Sequence, residues 1–562
     1  MNYDLKITGG TIVDGTGRPG VVGDVGVKAG KIAALGRADG ETATTIDARG
    51  RVVSPGFVDI HTHYDAQVLW DRMLTISPWH GVTTVVMGNC GFGVAPTRPD
   101  HREVILRTLE KVEGMSFEAL RKGVGLEWPF ETFPQYLDAV ERGGMAINVA
   151  AMIGHTPVRL YVMGEEATER GATEGEVARM RSIVREAIDA GAVGFATSKA
   201  PTHVGYAGKP VPSRAAELSE IEALADSLRE AGQGVLQATV GPGLFFDEFA
   251  ALARATGRTL TWTALLAGML GPGSHRMLLD RSVDLVRQGL AVVPQVSCRP
   301  LNFDFDFAEP FPFESLPVFK PVSQADRAGK VRLYGDPSFR QLMKDTFGSS
   351  MAGPFAGSAD RIWISSCPTE RRLEERTLAE VAGEKGVDPV DLMFDLALAS
   401  DLGTRFRMAI VNFDEGEVAE LLADPHTVLG LSDAGAHASQ LCDACFSTHL
   451  LGHWMREKGA LPLEEAVRML TSRPAEVLGI KDRGRLAVGM PADVVVFDPD
   501  TVGASKLRRV RDLPANADRL VADATGIDAV IVNGTIIRRQ GKDLVGPEGP
   551  LPGRLLRNGR AA

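Results

Sequence analysis

Ser54-Pro55-Gly56-Phe57-Val58-Asp59-Ile60-His61-Thr62-His63 is the stretch that decides the fold. A Pro-Gly turn opens it, an apolar run follows, and two histidines close it at alternate positions. In an extended chain residues i and i+2 project to the same side, so both imidazoles face one point. Two neutral imidazoles suit Zn2+ and related divalent metals. A His-x-His pair alone is a weak signal. At the end of an apolar strand the metal-binding reading outweighs chance.

Working outward from this stretch, short apolar runs alternate with longer amphipathic ones such as Glu174 to Ala190 and Glu217 to Ala231. That alternation signals a parallel sheet covered by helices. Eight strands are predicted: Val52–Ile60, Thr84–Gly88, Ile147–Ile153, Val193–Thr197, Val235–Val240, Leu260–Leu265, Val292–Val296 and Val428–Leu431. The fold class is therefore α/β, a (β/α)8 TIM-type barrel over residues 55–480, with its active site at the strand C-termini. Both chain ends are rich in β-formers and turns, from Leu5-Lys6-Ile7 and Val25-Gly26-Val27 to Val494-Val495-Val496-Phe497 and Val530-Ile531-Val532. Residues 1–54 and 481–562 are expected to build one small β-sandwich domain together. An insert from Arg299 to about Arg361, rich in Phe and Pro, separates strands seven and eight. It reads equally well as a lid over the catalytic face and as a packed surface loop.

The last predicted strand leads into Gly430-Leu431-Ser432-Asp433-Ala434-Gly435-Ala436-His437. A carboxylate at Asp433 would meet the histidine pair across the barrel mouth. There it can bind the metal, take a proton from water and pass it to a leaving amine. The competing reading is a helix N-cap aspartate.

Composition narrows the partners. A formal charge of −11 over 562 residues is mild and argues against nucleic acid. No run of 18 apolar residues is present, so no membrane span is expected. Met1 to Gly9 lacks the pattern of a signal peptide. Five cysteines in so long a chain do not make a disulfide framework, and a reducing, cytoplasmic setting is expected. Cys442-Asp443-Ala444-Cys445 reads as two half-buried thiols at a helix start, since no second CxxC accompanies it.

These residues together resemble the amidohydrolase superfamily, nearly end to end. Within it the chain is similar to the N-acyl-D-amino-acid deacylase (D-aminoacylase) group, on Gly88-Asn89-Cys90-Gly91-Phe92-Gly93-Val94-Ala95-Pro96 and Gly154-His155-Thr156-Pro157-Val158-Arg159. The resemblance makes Cys90 a candidate zinc ligand, against the alternative of a small buried core cysteine. It places His155 near the active site as a candidate for holding the oxyanion, against a purely structural histidine. Lys199 closes strand four, where many superfamily members carry a carboxylated, metal-bridging lysine; an ordinary cationic Lys199 is the alternative. Arg299, Arg159, His203 and Tyr206 are candidate substrate contacts, Arg299 above all for a substrate carboxylate.

The match also breaks. The group places histidines after strands five and six. This chain has Val235-Leu236-Gln237-Ala238-Thr239-Val240 and Leu260-Thr261-Trp262-Thr263-Ala264-Leu265 there, and His275 lies ten residues too far on. One ion is expected rather than two, zinc or another divalent metal, held mainly by His61, His63 and Asp433. The resemblance implies hydrolysis of an amide bond in a small N-acyl compound carrying a carboxylate, with N-acyl-D-amino acids as the group-level substrate. A cyclic amide, carbamate or ester substrate is one alternative, and a catalytically silent binding barrel is another. Homo-oligomerisation is left open.

Overall fold

The computed structural model describes residues 2–561 other than 126, 314–315 and 350–356. Eight parallel strands form one sheet: β1 (Phe57–Asp59), β2 (Val82–Met87), β3 (Asn148–Gly154), β4 (Gly194–Ser198), β5 (Val235–Thr239), β6 (Leu260–Thr263), β7 (Val292–Val296) and β8 (Val428–Leu429), paired in chain order. Every residue of these strands is buried, as expected for parallel strands covered by helices. The sheet curls so that the segments following its two edge strands come together. Thr62, just beyond β1, bridges Ala434, just beyond β8, with His63 N–H donating to the Ala434 carbonyl at 2.8 Å and Asp433 N–H to the His61 carbonyl at 3.1 Å.

The covering helices begin and end where their sequence dictates. Glu174–Ala190 starts in a capping box, Thr173 with Glu176, and stops at Gly191 in the left-handed region, two of the strongest local helix signals.

The predicted first strand, Val52–Ile60, is two strands. Val52–Pro55 pairs with Val494–Phe497 in a separate nine-stranded sheet built from both chain ends, and only Phe57–Asp59 joins the parallel sheet. Gly56 is the junction: a Cβ there would lie 2.0 Å from Thr83 Oγ1, and its N–H donates to the Asp493 carbonyl at 2.9 Å. A buried polar knot ties the two sheets. Asn148, at the start of β3, donates to Asp493 Oδ2 at 2.7 Å and accepts from Asn533 Nδ2 at 2.9 Å.

The insert after β7 is larger than its sequence suggested. The Phe303-Asp304-Phe305-Asp306-Phe307 run lies largely within strand Leu301–Asp306, which pairs with Arg405–Val411; that strand in turn pairs with Ile362–Ser366. Phe305, Phe307, Phe319, Tyr334, Phe394 and Phe406 belong to a hydrophobic core of its own. The insert was expected to end near Arg361; the unit continues to about Val411, because the Pro-rich run packs with two strands and two helices further along. Asn412 closes the neck, donating to the Ser297 and Arg299 carbonyls at 2.9 and 2.8 Å. Among the described residues no helix is long and apolar enough to cross a membrane.

Candidate metal centre

His61 and His63 follow β1, Cys90 follows β2 and Asp433 follows β8. β2 and β8 flank β1 once the sheet curls, so the three strand ends deliver all four side chains to one spot. Cys90 Sγ lies 3.4 Å from His61 Nε2. Asp433 Oδ1 lies 3.4 Å from His61 Nε2 and 3.7 Å from His63 Nε2. The ligand atoms of His61, His63 and Cys90 fall within 4.8 Å of one another. A tetrahedral ion with bonds of about 2.0–2.3 Å has ligand–ligand edges of about 3.3–3.7 Å. The separations of 3.4, 3.4 and 3.7 Å match it.

Each histidine is aimed by its other nitrogen. His61 Nδ1 meets Gln295 Oε1 at 2.7 Å, and Gln295 is fixed in turn by donating to Thr261 Oγ1 at 3.2 Å. His63 Nδ1 approaches Glu113 Oε1 at 3.1 Å. Both rings therefore present Nε2 to the centre, an orientation that supporting groups commonly impose on metal-binding histidines. Gln237 Oε1 accepts the Cys90 N–H at 2.7 Å. Cys90 (φ 55°), Leu431 (φ 61°) and Asp433 (φ 46°) all hold left-handed backbone, a conformation costing about 1–3 kcal/mol per residue and concentrated at functional sites. The tight turn before Cys90 needs Gly88, where a Cβ would sit 2.1 Å from the Met152 carbonyl oxygen.

The electrostatics favour a cation. Burial resists charge on His63, yet the Glu113 carboxylate, with hydrogen bonds that the ring donates to Asp433 and Cys90, raises its imidazole well above the usual range. Burial also works against a charged Cys90, but His61 and His63 bring the thiol down to about 7, and a thiolate is the form that binds metal. Asp433 is held far below ordinary carboxylates: against burial, its hydrogen bond to His63 and the charges of His61, His63 and His437 prevail. Two imidazoles, a low-pKa thiol and an ionised carboxylate make a donor set that fits Zn2+.

The cluster lies in a cavity of about 580 Å³. Arg299 lines it and is the one Lys or Arg among its described lining residues; its Nε donates to Asp443 Oδ1 at 2.7 Å. His203 also lines it, its Nδ1 2.6 Å from Ser198 Oγ and its ring 4.9 Å from that of Phe92. Burial lowers His203 to about 4, so it stands neutral. Among its described residues the insert reaches the cavity wall at Leu301 beside Arg299; residues 314–315 and 350–356 of the expected lid lie outside the described part.

Four of the candidate residues stand apart from the cluster. His155 is sealed, with Nδ1 2.8 Å from Thr197 Oγ1 and Nε2 2.8 Å from Glu220 Oε1. Arg159 is fully buried and spends its guanidinium on Glu220 and on the Ala167 and Arg170 carbonyls. Lys199 donates its ammonium to the Arg214 and Ala216 carbonyls, at 2.8 and 2.5 Å; a carboxylated nitrogen could not serve both. Tyr206 lines a neighbouring cavity instead of the metal-site cavity. His275, buried, is 3.2 Å from Glu417 and 2.9 Å from Glu420. The thiols of Cys442 and Cys445 are fully buried rather than half-buried.

Sequence reasoning missed Glu113, Gln237, Gln295 and Asp59. Asp59 stands two residues before His61 and accepts from Ser432 Oγ at 2.5 Å; alternation along the strand carried that signal. Burial pushes its carboxyl up to about 7. Glu113 follows the helix Arg102–Val112, and no motif marks it.

The amidohydrolase family model matches residues 44–538. The chain belongs to the amidohydrolase family. This family member is 31% identical to a D-aminoacylase of Alcaligenes xylosoxydans xylosoxydans, over 95% of this chain and 94% of that one. It is 30% identical to an N-acyl-D-glutamate deacylase of the same organism, over 99% and 96%. In structure it is similar to the N-acyl-D-glutamate deacylase of Bordetella bronchiseptica complexed with zinc and a phosphonate inhibitor, with TM-score 0.66, 27% identity and coverage of 99% and 100%.

Proposed function

We propose that this amidohydrolase is a metal-dependent deacylase that cleaves the amide bond of an N-acyl-D-amino acid, releasing a D-amino acid and a carboxylic acid. The observation that carries the reading is the convergence of His61, His63, Cys90 and Asp433 in a cavity that also holds Arg299. The names of the relatives supply the substrate class. His61, His63, Cys90 and Asp433 would hold one divalent ion, zinc by the softness of the set. Such an ion, when bound, polarises a carbonyl and makes water acidic enough to attack near neutral pH.

The protein's own groups do the rest. Asp433 stays ionised, so its carboxylate accepts the proton of the attacking water and returns it to the leaving amine nitrogen. Arg299, held at Nε by Asp443, offers a fork that binds both oxygens of the substrate carboxylate. Gln295 and Glu113 keep the two imidazoles aimed. The same reading takes the curled sheet as a closed (β/α)8 barrel and the terminal sheet as a small β-sandwich shared by residues 1–54 and 481–562. It takes the enzyme as cytoplasmic.

The test joins metal analysis of the purified protein to a substrate screen. Near-stoichiometric zinc, lost in His63→Ala, and turnover of N-acyl-D- over N-acyl-L-amino acids are expected. Absence of stoichiometric Zn, Mn or Fe sinks the hydrolase reading. Turnover of cyclic imides with no D preference replaces the substrate class.

A further inference from the structure

A second cavity, of about 280 Å³, lies beside the first. The two share Phe92 and are lined by neighbouring stretches of the same three segments. After β2, Cys90 and Phe92 face the metal-site cavity while Phe92 and Gly93 face the second. On the helix Arg102–Val112 and the residue after it, Val112 and Glu113 line the first, whereas Ile105 and Leu109 line the second. After β4, residues 200–203 line the first and 205–210 belong to the second. The Phe92 ring, 6.5 Å from His63 and 4.9 Å from His203, is the partition between them. Leu160 and Pro157 form part of its far wall, and the lining is mainly apolar.

Resting on the deacylase reading, we propose that this annex takes the tail of the acyl group, so that the preferred substrates carry medium-chain or aryl acyl groups rather than acetyl. The placement follows from strand order. Arg299 follows β7, and the annex is walled by segments after β2, β3 and β4. In a curled sheet of eight strands in chain order, β3 lies opposite β7. A substrate whose amide sits at the metal cluster and whose carboxylate meets Arg299 directs its acyl end the other way, past Phe92. The volume is suitable: a dry apolar cavity of about 150 Å³ takes benzene, so the annex holds an aryl ring or a chain of roughly eight carbons. Apolar walls of this kind reward each methylene that enters.

The experiment is a chain-length series, acetyl to octanoyl and phenylacetyl, on D-alanine, D-leucine and D-glutamate. Burial of a methylene is worth about a fourfold gain, so kcat/KM is expected to rise about four-thousandfold over the six methylenes from acetyl to octanoyl if all of them are buried. Two filled variants, Thr168→Phe and Leu160→Trp, should collapse that octanoyl-to-acetyl ratio. Thr168 is the safer of the two, since its buried hydroxyl has no hydrogen-bond partner to lose. A ratio near one in the unaltered enzyme, or a ratio unmoved by both variants, overturns the annex and leaves the deacylase reading intact. If no N-acyl-D-amino acid is turned over, that reading falls, and calorimetry with free octanoate and acetate judges the annex alone. Octanoate binding that is lost in Thr168→Phe supports it; no preference for octanoate overturns it.

Discussion

His63 with Glu113 and His155 with Glu220 are the same pairing, an imidazole against a carboxylate, set at the mouth of the same sheet. His63 spends only Nδ1 on its carboxylate, and its Nε2 faces Asp433 and His61. His155 spends both nitrogens, one on Thr197 and one on Glu220, and Arg159 takes the second oxygen of Glu220. Burial is nearly equal in the two. What separates a ligand from a structural histidine here is the second ring nitrogen, whether it converges with other donors or is already satisfied. The backbone agrees: left-handed residues gather around the first cluster, at Cys90, Leu431 and Asp433, whereas His155 opens a regular helix, His155–Met163.

The largest expected effect breaks the open cluster. Asp433→Asn removes the proton acceptor with little change of shape, and kcat should fall by about 10² to 10⁴ while the melting temperature stays close to that of the parent. In the closed cluster the consequences invert. Glu220→Gln leaves Arg159 buried without its anionic partner, which costs about 3–5 kcal/mol, read as a lower midpoint in denaturant. The folded fraction should keep most of its turnover. Loss of activity without loss of stability in Glu220→Gln would reverse the assignment of the two clusters.

The contrast also shows what a sequence can reveal. His61 and His63 stand on one strand two residues apart, so their convergence is local geometry and is legible at once. The parallel sheet was legible for the same reason, since β7 coincides with the apolar run Val292–Val296. His155 offered the same local picture, a histidine at a strand end. Its partners arrive from 42 and 65 residues away, and only folding shows that they leave it no free nitrogen. Glu113 was invisible for the matching reason. Gln237 and Gln295 stood on predicted strands but read only as missing or replaced motifs; the structure makes them supports for Cys90 and His61. The split of Val52–Ile60 at Gly56 and the late end of the insert both depend on pairing with strands far along the chain, which periodicity cannot report.

A smaller effect sharpens the comparison from the side of orientation. Gln295→Leu removes the acceptor that fixes His61 Nδ1 without touching the centre itself. Loss of such a supporting group typically weakens metal binding 10- to 100-fold. Competition with a zinc chelator should show that shift, with His61, His63, Cys90 and Asp433 all present. Unchanged zinc affinity would mean that strand geometry alone aims the ring.

The smallest effect is a slope in pH. Burial lowers the His155 pKa below its ordinary value, against the raising influence of Glu220. In the unfolded chain a histidine titrates near about 6.5. Below that pH the unfolded state binds a proton that the folded state refuses, so the stability His155 contributes is present above about pH 6.5 and is lost as pH falls toward its folded pKa. One group accounts for at most about 1.4 kcal/mol per pH unit. Glu220 adds to the same trend at lower pH: burial works to raise its carboxyl, but His155 and Arg159 hold it below the usual value, so its contribution fades as pH drops below about 4.3. Other buried histidines, among them His80, lowered to about 4 by burial, tilt the whole curve the same way. The informative quantity is therefore the difference between the parent and His155→Gln, measured as denaturant midpoints between pH 7 and pH 5. The variant should be less stable throughout but flatter by up to one proton. Parallel curves would show that His155 is protonated in the folded protein as readily as in the unfolded chain, and that its enclosure by Thr197 and Glu220 does not keep it neutral.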